Sequence, residues 1–141
     1  MKAISLWQPW ASAIADGKKK IETRSWYTKY RGPLLIHAAK KIISTPERIV
    51  IKSLCNQYGY DPYFYAMPYG EIICRVVLVH CKWITIYDKP DGLEGNLGDY
   101  TQGRFMWIID HLKKFKTPIP FRGSQGFFEV PDELMEVKNE L

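Results

Sequence analysis

The sequence predicts a mixed α+β fold, richer in strand than in helix, with about six strands and two or three helices in a small mixed or closed sheet. Three observations lead there. The apolar spacing switches between a period of two and a period near 3.6 without a regular strand-helix-strand alternation, which argues against a doubly wound sheet. No internal repeat, low-complexity tract or Pro/Ser-rich linker divides the chain. Its 141 residues suit one core, so residues 1–141 are expected to form a single domain.

The elements follow in order. Ala3 to Leu6 reads as a short strand, and Pro9 then stands where a first helical turn tolerates it. Trp10, Ala13 and Ile14 recur at helical spacing up to Gly17, a C-cap residue type, with Trp10 expected in the core. From Ile21 to Tyr27 the chain alternates, placing Ile21, Thr23 and Ser25 on one face of a strand and Glu22, Arg24 and Trp26 on the other. Leu34 to Ala38 continues as a buried strand after the turn at Arg31-Gly32-Pro33. Thr45-Pro46-Glu47 has the order of an N-cap, a first-position proline and an early acid, and Ile49, Val50, Leu54 and Tyr58 supply an apolar stripe as far as Gly59. Tyr60 to Gly70 is a Tyr- and Pro-rich connection whose aromatics suit a lid. Glu71 to Ile86 is the longest β-branched stretch and is expected to cross the core, while Asp88 to Gly103 reads as a mobile loop. Phe105 to Asp110 and Gly126 to Val130 read as further strands, and a short helix follows Pro131.

Composition narrows the function classes. Apolar residues make up 46% and charged residues 25%, a globular balance, but aromatics reach 14% and the net charge is +5. Positive charge with many flat rings suits a polyanion that carries bases. Cys55, Cys74 and Cys81 form no CxxC pair and are odd in number, which fits a reducing cytoplasm better than a disulfide framework. Cys74 and Cys81 lie in one strand at an odd separation and should face opposite sides; with His37, His80 and His111 scattered, no metal and no cofactor is expected. The start has no signal-type apolar stretch and the run from Ile72 to Cys81 is broken by Arg75, so no membrane association is expected.

The densest information lies between Leu6 and Pro33. Gly17, Lys19, Glu22 and Arg24 form the pattern G-x-K-x-x-E-x-R, flanked by Gln8-Pro9-Trp10-Ala11-Ser12 and by Arg24-Ser25-Trp26-Tyr27-Thr28. This pattern resembles the signature of the ASCH (activating signal cointegrator homology) domain, and the flanks look like the carboxyl-terminal domain of the cointegrator that gave the family its name. Arg122-Gly123-Ser124-Gln125-Gly126 is similar to the Gly-bounded turn before the last strand in small bacterial and phage ASCH proteins. The resemblance implies a PUA-like mixed β-barrel with peripheral helices and a cleft where the charged motif residues gather.

The same residues have a chemical reason to be together. Lys19 leaves the helix end after Gly17, while Glu22 and Arg24 project from one strand face. Burying such charges costs several kcal/mol each unless they are paired, so apolar residues would serve stability at less cost. For recognition the trio is apt: a carboxylate accepts the amino group of cytosine or adenine, and Lys and Arg donate to ring nitrogens, carbonyls or phosphate. Trp7, Trp10, Trp26 or Tyr27 can stack on a base. The candidate ligand-binding set is therefore Trp7, Gln8, Lys19, Glu22, Arg24, Trp26, Tyr27, Arg31, Ser124 and Gln125, with RNA, DNA or a modified nucleoside as partner. Lys18 to Lys20, Arg31, Lys40-Lys41 and Lys113-Lys114-Lys116 are candidates to track a phosphate backbone.

A hydrolase is the alternative. One bacterial ASCH branch is similar in its motif and removes acetyl groups from cytidine nucleosides with the motif lysine, a threonine three residues on and a separate glutamate. Lys19 matches the lysine, Glu22 stands at the threonine position, and Glu94 or Asp99 are candidates for the glutamate. Since a carboxylate does not act as a hydroxyl nucleophile does, catalysis here would rest on Lys19 with a lowered pKa and Glu22 as proton carrier, acting on an acyl group or on RNA. Ribonuclease activity is also implied by the resemblance. A third reading is a basic face that meets an acidic protein partner.

Overall fold

The computed structural model of the chain describes residues 1–139 and contains six strands and four helices among them. In chain order these are β1 (Lys2–Leu6), α1 (Trp10–Ala15), β2 (Ile21–Arg24), β3 (Gly32–Ala38), α2 (Thr45–Asn56), β4 (Glu71–Trp83), α3 (Gly92–Asn96), β5 (Phe105–Pro120), β6 (Phe128–Glu129) and α4 (Asp132–Asn139). The strands form one sheet in the order β2-β5-β4-β3-β1-β6, antiparallel except for β1 beside β3.

The expected α+β architecture and strand number hold, with one correction: the sheet is not closed as a barrel. β2 is four residues long and pairs only with β5, while β6 is two residues long and covers only Lys2 and Ala3 of β1. Edges that short leave the two ends of the sheet unjoined by a ladder. Beyond Ala3, β1 has no ladder partner on the β6 side, and that gap becomes one wall of the cleft described below.

The apolar runs Ala3-Ile4 of β1 and Leu34-Leu35-Ile36 of β3 are buried on both faces of the sheet. Ile4, Leu6, Leu34 and Ile36 join Ile14, Cys74, Val76, Leu78, Trp107 and Ile109 in the larger cluster. Ala3 and Leu35 point the other way and pack with Ile72, Phe115, Ile119, Val130 and Met135. A third cluster of Ala13, Cys55, Tyr60 and Leu97 lies among α1, α2 and α3.

Several element-level expectations change. Cys74 and Cys81 do not face opposite sides; both belong to the larger cluster, because the β4–β5 register shifts between Leu78 and His80 and resets the alternation. β5 runs far past Asp110, with a second shift where His111 adopts φ 54°, and its later half carries Phe115 and Ile119 to the second cluster. α2 is capped by Ser44, one residue earlier than expected, whose hydroxyl accepts from the Glu47 amide. Ile49, Val50 and Tyr58 are exposed, whereas Ile51, Leu54 and Cys55 turn inward. Three consecutive apolar residues at 49–51 allowed two stripes, and packing selected the other one. The segment from Asp88 to Gly103 is no bare loop: it contains α3 and is held by Trp10, whose indole donates to the Leu97 carbonyl at 2.8 Å. No helix among the described residues is long and apolar enough to cross a membrane.

Trp107 is the central side chain of this fold. It is fully buried, meets Trp26 edge-to-face at 4.7 Å between ring centroids, and donates to the Trp26 carbonyl at 3.3 Å. Trp107→Ala is expected to cost about 3–5 kcal/mol in urea-induced unfolding. A loss below about 1 kcal/mol would show that Trp26 is not held by this contact.

Candidate functional site

A cleft of about 1610 Å³ opens at the carboxyl ends of the parallel pair β1 and β3. Its walls come from Ser5, Leu6 and Trp7 at the end of β1, Glu22 to Arg24 on β2, His37 with Ala39, Lys40 and Lys41 around the end of β3, and the 121–126 segment opposite. Strands that point the same way bring their loops to the same end, which is why a crevice forms there.

Glu22 and Arg24 share a face of β2 as their alternate spacing requires, and both line the cleft. The Arg24 guanidinium stands between two acceptors: its Nε lies 3.5 Å from Glu22 Oε2, and its Nη2 donates to the Ser5 carbonyl at 3.1 Å. It also rests over the Trp107 ring at 5.8 Å. Arg24 thus spans by side chain the seam that no ladder closes. Trp26 follows on the cleft wall, braced edge-on by Trp107 and Phe127.

Lys19 is placed differently from the expectation of a cleft donor. Its residue is only 2% exposed, and its ammonium lies 3.8 Å from Glu94 Oε1, beyond hydrogen-bond reach. Glu94 is carried in by α3, where its carboxylate accepts from the Lys20 amide at 3.1 Å. Gly95 makes this possible, since a Cβ there would stand 1.8 Å from the Pro90 carbonyl oxygen. The hydroxyl of Tyr100 is also buried without a hydrogen-bond partner, and Glu94 and Glu22 act on it electrostatically.

Burial sets the protonation behaviour of this cluster. It lowers the Lys19 pKa, against the pull of Glu94 and Glu22, and it raises Glu22 against the charges of Arg24, Lys19 and Arg104. Glu94 is likewise raised by burial, with Lys19 opposing. All three groups are driven toward neutrality, as expected of ionisable groups brought out of water with incomplete hydrogen bonding.

Of the other expected site residues, Trp7, Ser124 and Gln125 line the cleft, and Lys41 places its ammonium 5.0 Å above the Trp7 ring. Trp10 is half-buried and also lines it. Gln8 is buried and binds the Ser12 amide and hydroxyl and the Pro68 carbonyl, so it fixes the turn before α1. Tyr27 is exposed and packs on Phe105, while Arg31 holds the carbonyls of Thr28 and Tyr30. Of the basic clusters, Lys40 and Lys41 reach the cleft, whereas Lys114 pairs with Asp16; Arg122, outside those clusters, also lines the cleft. Ser5, His37, Tyr100 and Arg104 were not singled out by the sequence, since only strand pairing and loop docking bring them to the motif.

With this geometry in place, comparison with known proteins is decisive. The ASCH domain profile matches residues 4–119. The chain belongs to the ASCH domain family. It is 50% identical over 135 residues to activating signal cointegrator 1 from Mus musculus, and equally so to that from Homo sapiens, with 93% of the chain matched in each case. It spans 22% of the length of these relatives. A crystal structure of ASCH from Zymomonas mobilis superposes with a TM-score of 0.57 at 18% identity, covering 96% of this chain and 90% of that one. A substituted form of the same bacterial ASCH protein gives 0.56, covering 96% and 92%. These superpositions support the ASCH fold.

The raised pKa of Glu22 has a signed consequence. Between pH 4.5 and its folded value, Glu22 binds more protons folded than unfolded, so its contribution to stability is present below 4.5 and is lost as pH rises through the folded pKa. The unfolding free energy of wild type is therefore expected to fall relative to Glu22→Gln as pH is raised across that window. Urea titrations of both proteins from pH 4 upward check this, and the opposite slope would contradict it.

Proposed function

We propose that this ASCH domain binds single-stranded nucleic acid, RNA foremost, or a modified nucleobase, receiving a base against Glu22, Arg24 and Trp26. The observation that carries the reading is the Glu22–Arg24 pair on the cleft wall, where a carboxylate and a guanidinium are held 3.5 Å apart beside an aromatic ring. The carboxylate accepts from an exocyclic amino group and the guanidinium donates to an adjacent carbonyl or ring nitrogen, the two complementary functions on a base edge. Trp26 offers a flat surface near them, and Lys40, Lys41 and Arg122 place positive charge along the same cleft for the phosphates.

Fluorescence anisotropy with short single-stranded oligonucleotides tests this. Neutralising about three phosphates on a single strand should give a log-log salt slope of about −2. Glu22→Gln and Arg24→Ala should each weaken binding by about tenfold or more, as expected for loss of a charge-assisted hydrogen bond. Affinity independent of salt, or untouched by both substitutions, would refute the proposal.

A second reading is a hydrolase acting on RNA or on an acylated cytidine nucleoside. It is favoured by one observation: the Lys19 amine lacks a hydrogen-bond partner and has a lowered pKa close to two carboxyls. In that role Lys19 takes the proton of the attacking water, or of the ribose 2′-hydroxyl in RNA, as that oxygen bonds to the acyl carbon or phosphorus, and Glu22, held toward its protonated form, delivers a proton to the leaving group as its bond breaks. Product analysis after incubation with acetylated cytidine and with single-stranded RNA decides it. Turnover of either substrate that is lost in Lys19→Ala supports the reading, and no turnover, or equal turnover by the variant, overturns it.

A further inference from the structure

Ser5 and His37 lie directly beside each other in the parallel register of β1 and β3, on the face opposite the larger core cluster. Both line the cleft. The Ser5 hydroxyl is 2.9 Å from His37 Nδ1, and His37 Nε2 is 2.7 Å from the Phe121 carbonyl oxygen. A carbonyl oxygen only accepts, so Nε2 carries the proton and donates to it. Burial lowers the His37 pKa, and in the neutral ring with the proton on Nε2 the Nδ1 atom has a lone pair facing the Ser5 hydroxyl. The Ser5 hydroxyl proton is therefore committed to His37, and the oxygen meets the cleft with its lone pairs alone.

Its surroundings hold this arrangement. His37 is 2% exposed and packs edge-on against Phe128. Gly123 brings the 121–126 segment against the pair so closely that a Cβ there would stand 2.6 Å from His37 Cε1 and 3.2 Å from Ser5 Oγ. The neighbouring Arg24 donates to the Ser5 backbone carbonyl, so Ser5 adjoins the Glu22–Arg24 pair through its main chain, and all three residues line the same cleft.

We infer that Ser5 Oγ, oriented by His37, is a second recognition point of the cleft, a fixed acceptor that takes a hydrogen-bond donor from the bound nucleotide. The inference rests on the cleft's role in nucleic-acid binding proposed above. Two parts of a nucleotide supply such a donor: the ribose 2′-hydroxyl and a base N–H. A nucleotide without a donor there leaves the Ser5 oxygen and its own acceptor facing each other, so the residue acts in selection as well as affinity.

The test uses four oligonucleotides of equal length, A-only and U-only RNA and A-only and T-only DNA, titrated against wild type, Ser5→Ala and Glu22→Gln. Ser5→Ala is expected to lose about tenfold in affinity, the effect of one hydrogen bond, for the oligonucleotides that supply the donor. A loss confined to both RNAs assigns the donor to the 2′-hydroxyl. A loss in both A-only strands, RNA and DNA alike, assigns it to the adenine amino group. In parallel, nitrogen-15 spectra of the His37 ring should show Nε2 protonated and Nδ1 bare, a signature that a packing role alone does not require. If Ser5→Ala binds all four strands as wild type does while Glu22→Gln is weakened, the second recognition point is refuted and the cleft reading stands. If wild type itself binds none of the four, both fall together. A ring protonated on Nδ1 overturns the fixed-acceptor argument whatever the affinities.

Discussion

The structure turns on ionisable groups drawn out of water at one end of the sheet. Lys19 and Glu94 form a buried, loosely spaced pair behind the wall, and Glu22 and Arg24 form a tighter one on its surface. Such groups favour the folded state poorly compared with well-packed apolar residues of similar volume. Here the cost is visible as orphaned polar atoms, the Lys19 ammonium, the Arg24 Nε and the Tyr100 hydroxyl. Sites that break the local rules of burial while the rest of a fold obeys them are where function is expected.

The surrounding fold accounts for why that place is a cleft. Two parallel strands end together, and the very short β6 leaves β1 unpaired on one side from Ile4 onward. The side chain of Arg24 crosses the opening in place of a ladder, and α3 delivers Glu94 from the other side. The aromatic core supports the same wall, since Trp107 braces both Trp26 and the Arg24 guanidinium. Recognition chemistry and core packing therefore share a side chain, and disturbing one disturbs the other.

Much of this was legible in the residues and some was not. G-x-K-x-x-E-x-R located the charged cluster and the family, because strand alternation puts Glu22 and Arg24 on one face wherever the strand lies. It did not place Lys19, whose burial depends on the docking of α3, whose Glu94 lies 75 residues further along the sequence. The apparent loop from Asp88 to Gly103 is full of Gly and acidic residues, and nothing local reveals that Gly95 is there for a close backbone approach. The length of β5 was hidden by Lys113, Lys114 and Lys116, which look like a solvated loop, although Lys114 and Lys116 alternate with the buried Phe115 along the strand. Ser5 and His37 carry no motif; their pairing is a property of parallel register alone.

The most direct test of the cleft as the binding surface is a two-dimensional nitrogen–proton spectrum of the five tryptophan indoles during titration with a short single-stranded RNA. Trp7, Trp10 and Trp26 line the cleft, while Trp83 is exposed outside it and serves as an internal control. The account requires the first three signals to move with saturation while Trp83 stays in place. Movement of Trp83 with the cleft indoles unchanged would contradict it.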